Sequence, residues 1–309
     1  MQVALKIDVD THDGLRVGVP RLADLLEAER ITASFYIAMG PDNSGKAIAR
    51  VFRNKGFLKK MLRTNAVAMY GWRTILSGTI LPARQIALAF PDTVRQLALK
   101  GFEVGLHGYD HVRWQDHLEH LGESEVRTEI ESAMAAYQSL FGHAAHGFAA
   151  PGWRETRLSL QLLDSIGFDY HSDTRGVEPF LCTVDGAVFA TPEIPTTLPT
   201  FDEVMGSGEA LRDGQSIARY YLGQFKTDRL NVHTIHAETE GISEVDGFAT
   251  LVRALKNRGA QFVRLAEFAA SLDRRTLPIC EVTRTTMPGR AGWISKQGRP
   301  LSVDSSHGK

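Results

Sequence analysis

The sequence predicts an α/β fold built on a parallel sheet or barrel. Short apolar, β-branched runs alternate with longer segments of helical spacing, an order that favours parallel strands with crossover helices. Acidic and histidine-rich clusters fall where those runs stop, and in parallel α/β folds chemistry collects at the C-terminal ends of strands. The chain of 309 residues, 43% hydrophobic and 23% charged, is long enough for one large α/β domain or two smaller ones, and the βα rhythm is expected to run over residues 1–270.

Bulk properties exclude some partners. Thirty-five basic residues balance 36 acidic ones for a net charge of −1, so no global feature favours nucleic acid. Cys182 and Cys280 lie far apart without a CxxC pair, which suits a reducing compartment. The N-terminus lacks an apolar secretory core, and no run approaches the ~18 apolar residues of a membrane span. A cytoplasmic protein is expected, with surface attachment to a membrane left open.

Residues 3–9 are the first strand, and the chain then reads Ile7-Asp8-Val9-Asp10-Thr11-His12-Asp13-Gly14. Side chains two apart on a strand share a face, so Asp8 and Asp10 point the same way. Two adjacent carboxylates repel, and a metal or shared proton relieves them. One could bind a metal while the other takes a proton from water. Alternatively they cap the next helix. That helix is expected over 19–29, with Pro20 near its start, and a second strand over 31–38.

Residues 41–90 interrupt the rhythm. Lys46, Arg50, Arg53, Lys55, Lys59, Lys60 and Arg63 occur with no acid between Lys46 and Arg63. They mix with Phe57, Leu58, Met61 and Leu62, and Tyr70 and Trp72 follow. The pattern suits an interfacial helix on an anionic membrane. An amphipathic helix packed on the domain, with its basic face in water, is the other reading.

After a helix over 91–100, residues 104–111 read Val-Gly-Leu-His-Gly-Tyr-Asp-His. A strand running into a helical turn would aim His107 and His111 at one point, leaving room for a third metal ligand and water. Residues 116–141 should be a helix, with Ser124 as a candidate cap. In residues 146–154, Trp153 could wall a pocket and Arg154 could orient an acid or anion. Residues 159–166 are a helix and 168–173 a short strand, whose Asp173 is the acid best placed to meet Arg154. A strand over 187–194 leads into proline-rich 192–199, a candidate wall of the site. On the strand over 230–238, His233 and His236 face opposite sides, so one of them enters the site. A helix over 248–258 and a strand over 261–265 follow. Residues 277–309 are expected to be a polar, partly disordered tail.

Five motifs occur in order: Asp8-x-Asp10, His107-x-x-x-His111, Pro151-Gly152-Trp153-Arg154, Asp173 and His236. Together they resemble the polysaccharide deacetylase family with the NodB homology domain, from about Val3 to Leu265. Ile7-Asp8-Val9-Asp10-Thr11, Gly40-Pro41-Asp42-Asn43, Tyr70-Gly71-Trp72, Leu198-Pro199-Thr200 and Thr234-Ile235-His236-Ala237-Glu238 are similar to the branch of deformylases acting on a lipid-linked formamido-arabinose. The resemblance implies a distorted (β/α) barrel of about seven strands with a membrane-facing insert. It implies hydrolysis with one divalent metal, zinc, cobalt or manganese, in bacterial lipid A modification and polymyxin resistance. The place would be the cytoplasmic face of the inner membrane. It makes Asp8 the base, Asp10, His107 and His111 the metal ligands, and His236 the general acid. Arg154 and Asp173 would keep Asp8 ionised and in place. Lys59, Lys60, Arg63, Trp72 and Trp153 would meet lipid or substrate. The family's adjacent aspartates are here split by Val9, which leaves open which acid is base and which is ligand. Two rival readings are a deacetylase for another N-acylated sugar and a non-catalytic, membrane-bound sugar-binding protein.

Overall fold

The computed structural model describes residues 1–46, 77–207, 214–287, 290 and 292–301. Strand β1 (Gln2–Val9) lies at its centre. It pairs in parallel with β2 (Ser34–Ile37) on one side and β8 (Leu230–His236) on the other. The sheet continues from β2 through β3 (Glu103–Leu106), β4 (Gly147–Phe148) and β5 (Tyr170–His171) to β7 (Ala187–Glu193), all in parallel. Beyond β7 lie β6 (Phe180–Val184), β10 (Ile279–Thr286) and β11 (Trp293–Pro300). Short β9 (Gln261–Phe262) pairs with the start of β1.

Alternation along β1 sorts its side chains. Val3, Leu5, Ile7 and Val9 join the main core under the helices, while Ala4 packs on the opposite face with Tyr36, Ala149, Tyr170 and Ile194. Lys6 and Asp8 share that inner face by the same alternation, and both are buried. Seven strands, β1 to β5, β7 and β8, surround it, as the expected barrel requires. The ladder, however, is open between β7 and β8. There the N–H groups of Thr197 and Leu198 donate to the Val232 carbonyl at 3.0 and 3.3 Å. The proline-rich stretch after β7 therefore fills the gap, because it cannot donate a regular ladder.

The helices follow the expected pattern, with adjusted ends. Among the described residues they are α1 (Val19–Glu29), α2 (Pro91–Leu99), α3 (His111–His117), α4 (Glu123–Phe141), α5 (Arg157–Ile166), α6 (Phe201–Ser207), α7 (Gly214–Leu222), α8 (Val245–Asn257) and α9 (Leu265–Ala270). The single helix expected over 116–141 is instead broken at Leu121-Gly122. Gly122, rather than Ser124, caps α4, its N–H donating to the Glu125 carboxylate at 3.1 Å. Gly18 opens α1 where the chain after β8 crosses it. A Cβ there would lie 2.0 Å from the Ala237 carbonyl oxygen, so only glycine permits the approach.

One expectation about the periphery changes. Residues 279–300 are no tail: β10 pairs in parallel with β6 and antiparallel with β11. Alternation in this region is weak, yet Cys280, Ile294 and Ser295 are fully buried, which anchors the hairpin. The strand β6, unrecognised in the sequence, supplies the edge that it joins. Residues 302–309 lie outside the described residues, as do Lys59, Lys60, Arg63 and Trp72 of the insert. The two ends of that insert are tied together: Pro41 bridges Gln85, and the Asp42 N–H donates to the Arg84 carbonyl at 2.7 Å.

Candidate active site

The site sits where β1, β3 and β8 end. After Leu106 the chain turns through Gly108, whose φ of +71° is a left-handed conformation that suits glycine. Asp110 then caps α3, its Oδ1 accepting from the Arg113 N–H at 3.0 Å. His107 is thus the residue after β3 and His111 the first residue of α3. Their rings are 5.1 Å apart. The expected strand-to-helix presentation holds.

Asp10 meets both rings. Its Oδ1 is 3.2 Å from His107 Nε2, and its Oδ2 is 3.4 Å from His111 Nε2. One donor atom from each of the three residues falls within 4.8 Å of the others. His107 Nδ1 lies 2.7 Å from the Ala149 carbonyl oxygen, which can only accept. That contact puts the ring proton on Nδ1 and leaves the Nε2 lone pair toward Asp10. With the ring neutral, acceptor faces acceptor and the buried Asp10 Oδ1 has no hydrogen-bond donor, a conflict that only a proton on Nε2 or a cation removes. A cation resolves this arrangement, and a carboxylate with two imidazoles is a donor set that divalent zinc, cobalt or manganese accepts. The residues therefore fit the metal that the resemblance implies.

Asp8 stands beside this group. Its Oδ2 is 3.9 Å from His107 Nε2 and 3.8 Å from the ammonium of Lys6. Its Oδ1 is buried without a hydrogen-bond partner. The distances order the two aspartates: Asp10 contacts both imidazoles, and Asp8 is one step back. Burial by itself would raise the Asp10 pKa, but His111 and His107 outweigh it and hold this carboxyl far below the usual range. Burial by itself would lower His107, yet Asp8 and Asp10 push it up.

His236 and His233 part as the strand alternation requires. The His236 Nδ1 is 3.7 Å from Asp202 Oδ1. Burial alone would depress it, but Asp202, Asp10 and Asp8 carry its pKa up to about 9. His233 points the other way, its ring centroid 4.5 Å from that of Tyr221. Burial pushes its pKa down to about 3, so it is a neutral core residue.

The third and fourth motifs behave differently from expectation. The Arg154 guanidinium bonds the carbonyls of Gln115 and Trp293 and stacks 5.0 Å from the Trp293 ring. It ties the motif to α3 and β11. Asp173 Oδ1 instead accepts from the Ala150 N–H at 2.6 Å. The reason is local: Gly152 and Trp153 both adopt positive φ, which turns the following side chain outward. The cation beside Asp8 is Lys6, also anchored by the Ser172 carbonyl at 2.6 Å. Trp153 is 2% exposed, so it is a floor of the site and not an open wall. Its ring centroid is 6.3 Å from that of His236, and the Arg290 guanidinium lies 4.4 Å from it.

Sequence reasoning missed three supporting residues. Lys6 reads as one more residue of a buried strand, although a lysine between Leu5 and Ile7 is itself a signal. Asp202 has no local pattern that ties it to His236. Glu238 Oε1 accepts from the N–H groups of Asp10 and Thr11 at 3.0 and 2.8 Å, holding the loop that carries Asp10.

This fold and this site define a class, and the sequence matches it: residues 3–171 match the polysaccharide deacetylase family, and the chain belongs to that family. The chain is 36% identical over 307 residues to a protein of Shewanella sediminis (strain HAW-EB3), across 99% of this chain and 97% of the relative. That relative carries the name Probable 4-deoxy-4-formamido-L-arabinose-phosphoundecaprenol deformylase ArnD. A protein of the same name from Wigglesworthia glossinidia brevipalpis is 32% identical, across 92% of this chain and 98% of the relative. A crystal structure of a polysaccharide deacetylase homologue from Mycobacterium smegmatis superposes with a TM-score of 0.61. It is 17% identical, over 93% of this chain and 95% of that one, and supports the fold.

Proposed function

We propose that the chain removes the formyl group from 4-deoxy-4-formamido-L-arabinose-phosphoundecaprenol by metal-dependent hydrolysis. The observation that carries the reaction class is the convergence of Asp10, His107 and His111 with Asp8 and His236 beside them. The substrate rests on the two named relatives, which match nearly the whole chain. Asp10, His107 and His111 would hold the cation, which when bound supplies Lewis acidity toward the amide carbonyl and toward water. Asp8 accepts the proton of the attacking water. Lys6 balances Asp8, its ammonium 3.8 Å from the same Oδ2 that lies 3.9 Å from His107. His236, protonated and held by Asp202, donates to the departing amine, which otherwise leaves poorly. Formate and the free amino sugar result.

Insert 41–90 grows from the rim of the same site. Its root is fixed where the Met39 and Gly40 N–H groups donate to the carbonyls of Gly108 and Tyr109 at 3.0 and 2.9 Å. A basic, aromatic segment there would hold the lipid headgroup region against the mouth of the site. On this reading the chain works at the cytoplasmic face of the inner membrane, in lipid A modification and polymyxin resistance. Among the described residues no helix is long and apolar enough to cross a membrane.

Purified protein, metal-stripped and reconstituted, should release formate from the lipid-linked sugar, followed by mass spectrometry. Acetate release from an acetylated analogue at a higher rate would favour the deacetylase reading. Asp8→Asn should retain metal and lose about 10²–10⁴-fold in turnover, the usual worth of a general base. Near-normal turnover in that variant removes Asp8 as the base.

A further inference from the structure

A second group of chemistry-bearing side chains lies at the C-terminal ends of β4, β5 and β7; it includes the fourth-motif Asp173 and none of Asp8, Asp10, His107, His111 and His236. His171 and Glu193 close β5 and β7, Asp173 follows β5, and Glu155 follows the turn after β4. Exposures are 2% for His171, 0% for Asp173 and Glu193, and 3% for Glu155. One donor atom from each of His171, Asp173 and Glu193 lies within 4.8 Å of the others. His171 Nδ1 is 3.6 Å from Asp173 Oδ2.

Two of these carboxylates are fixed on one oxygen and bare on the other. Glu193 Oε1 accepts from the N–H groups of Asp173 and Thr174, both at 2.8 Å, and from Thr174 Oγ1 at 2.9 Å. Asp173 Oδ1 accepts from Ala150. Their second oxygens, Glu193 Oε2 and Asp173 Oδ2, meet no N–H or O–H donor, and the Glu155 carboxyl meets only that of Asp173. Among the described residues no lysine or arginine forms an ion pair with any of the three. Unpaired buried charge of this kind is costly, so something positive belongs among these oxygens.

Protons or a cation could supply it. Were protons to do so, the acids would be neutral: burial and the neighbouring Asp173 charge push Glu193 up to about 8, and Glu155 well above its ordinary value. A proton shared by Glu155 and Asp173 satisfies that pair and leaves Glu193 Oε2 and the His171 ring nitrogen without a partner. A neutral carboxylic acid needs one acceptor, whereas here two preoriented oxygens and an imidazole nitrogen converge.

We propose that His171, Asp173 and Glu193, with Glu155 closing the group, form a buried structural site for a divalent transition cation such as zinc. Imidazole with carboxylates is a suitable donor set. Full burial leaves no open position for substrate, so the ion holds structure and does no chemistry. It pins the strand ends that carry Ser172, whose carbonyl anchors Lys6 beside Asp8.

The test is metal content of the full chain expressed in zinc-supplemented medium, since a buried ion loads as the chain folds. Wild-type protein should carry two equivalents, His107→Ala one, and His107→Ala with Glu193→Gln none. One equivalent in wild type, none in His107→Ala, or one retained in the double variant overturns the proposal. Anomalous scattering at the zinc edge needs no variant. It should place an ion about 2.0–2.2 Å from Glu193 Oε2 and Asp173 Oδ2. Zinc at Asp10 alone overturns the site and leaves the catalytic reading intact.

Discussion

The ammonium of Lys6 lies 3.8 Å from Oδ2 of Asp8, with both side chains buried. Both follow Ala4 on the inner face of β1, and the Lys6 ammonium lies 5.6 Å from the ring centroids of Tyr36 and Trp153. Removing one partner of a buried pair leaves an uncompensated charge, at a cost of about 3–5 kcal/mol. Lys6→Met should therefore lower the melting temperature and reduce kcat at least tenfold while metal content is unchanged. Lys6→Arg should restore most of kcat. Equal loss of kcat in both variants would show that charge beside Asp8 is not what matters.

The acid limb of the mechanism is set by His236. Its pKa is raised to about 9 by Asp202, Asp10 and Asp8 against burial, so the ring is protonated at neutral pH and lost as donor above that value. A cation on Asp10 withdraws part of the raising charge, so the alkaline fall in kcat/KM should lie between ~6.5 and about 9. Asp202→Asn should move that fall to lower pH without changing metal content. A rate profile blind to Asp202 would remove it as the partner of His236.

The five motifs made the catalytic half of the fold legible because each falls where an apolar run ends. Position then followed from period: two along β1 for Asp8 and Asp10, four into a turn for His107 and His111. Contacts between distant segments were not legible. Arg154 looked like a partner for Asp173, but two left-handed residues redirect it to β11, a strand that its own composition disguised. Asp202 and Glu238 act through ring nitrogen and backbone N–H groups, and no local spacing encodes such partners. The order of the two aspartates likewise waited on distances.

His233 offers a control with the opposite sign. It is buried with both ring nitrogens unpartnered, and burial depresses its pKa to about 3. The unfolded chain, with an ordinary value near 6.5, binds the proton first, so this ring destabilises the fold as pH falls through ~6.5 toward 3. His233→Leu should flatten the acid-side loss of stability in denaturant melts between pH 6.5 and 4. It should leave kcat within about threefold, because removing an unsatisfied buried polar group is nearly neutral. A collapse of turnover would mean that His233, not His236, serves the site.

The basic insert gives the last prediction. Each lysine or arginine near an anionic surface contributes about 1 kcal/mol, so three together are worth about 3 kcal/mol, or roughly a hundredfold in partition. Replacing Lys59, Lys60 and Arg63 with Glu should therefore abolish co-sedimentation with phosphatidylglycerol vesicles at low salt. The same variant should hydrolyse a water-soluble, phosphate-free formamido-sugar at the wild-type rate, because such a substrate has no headgroup or lipid for the insert to hold. Raising salt should release the wild-type protein too, through screening over about 10 Å at 0.1 M. Undiminished co-sedimentation of the variant would assign membrane contact to another surface.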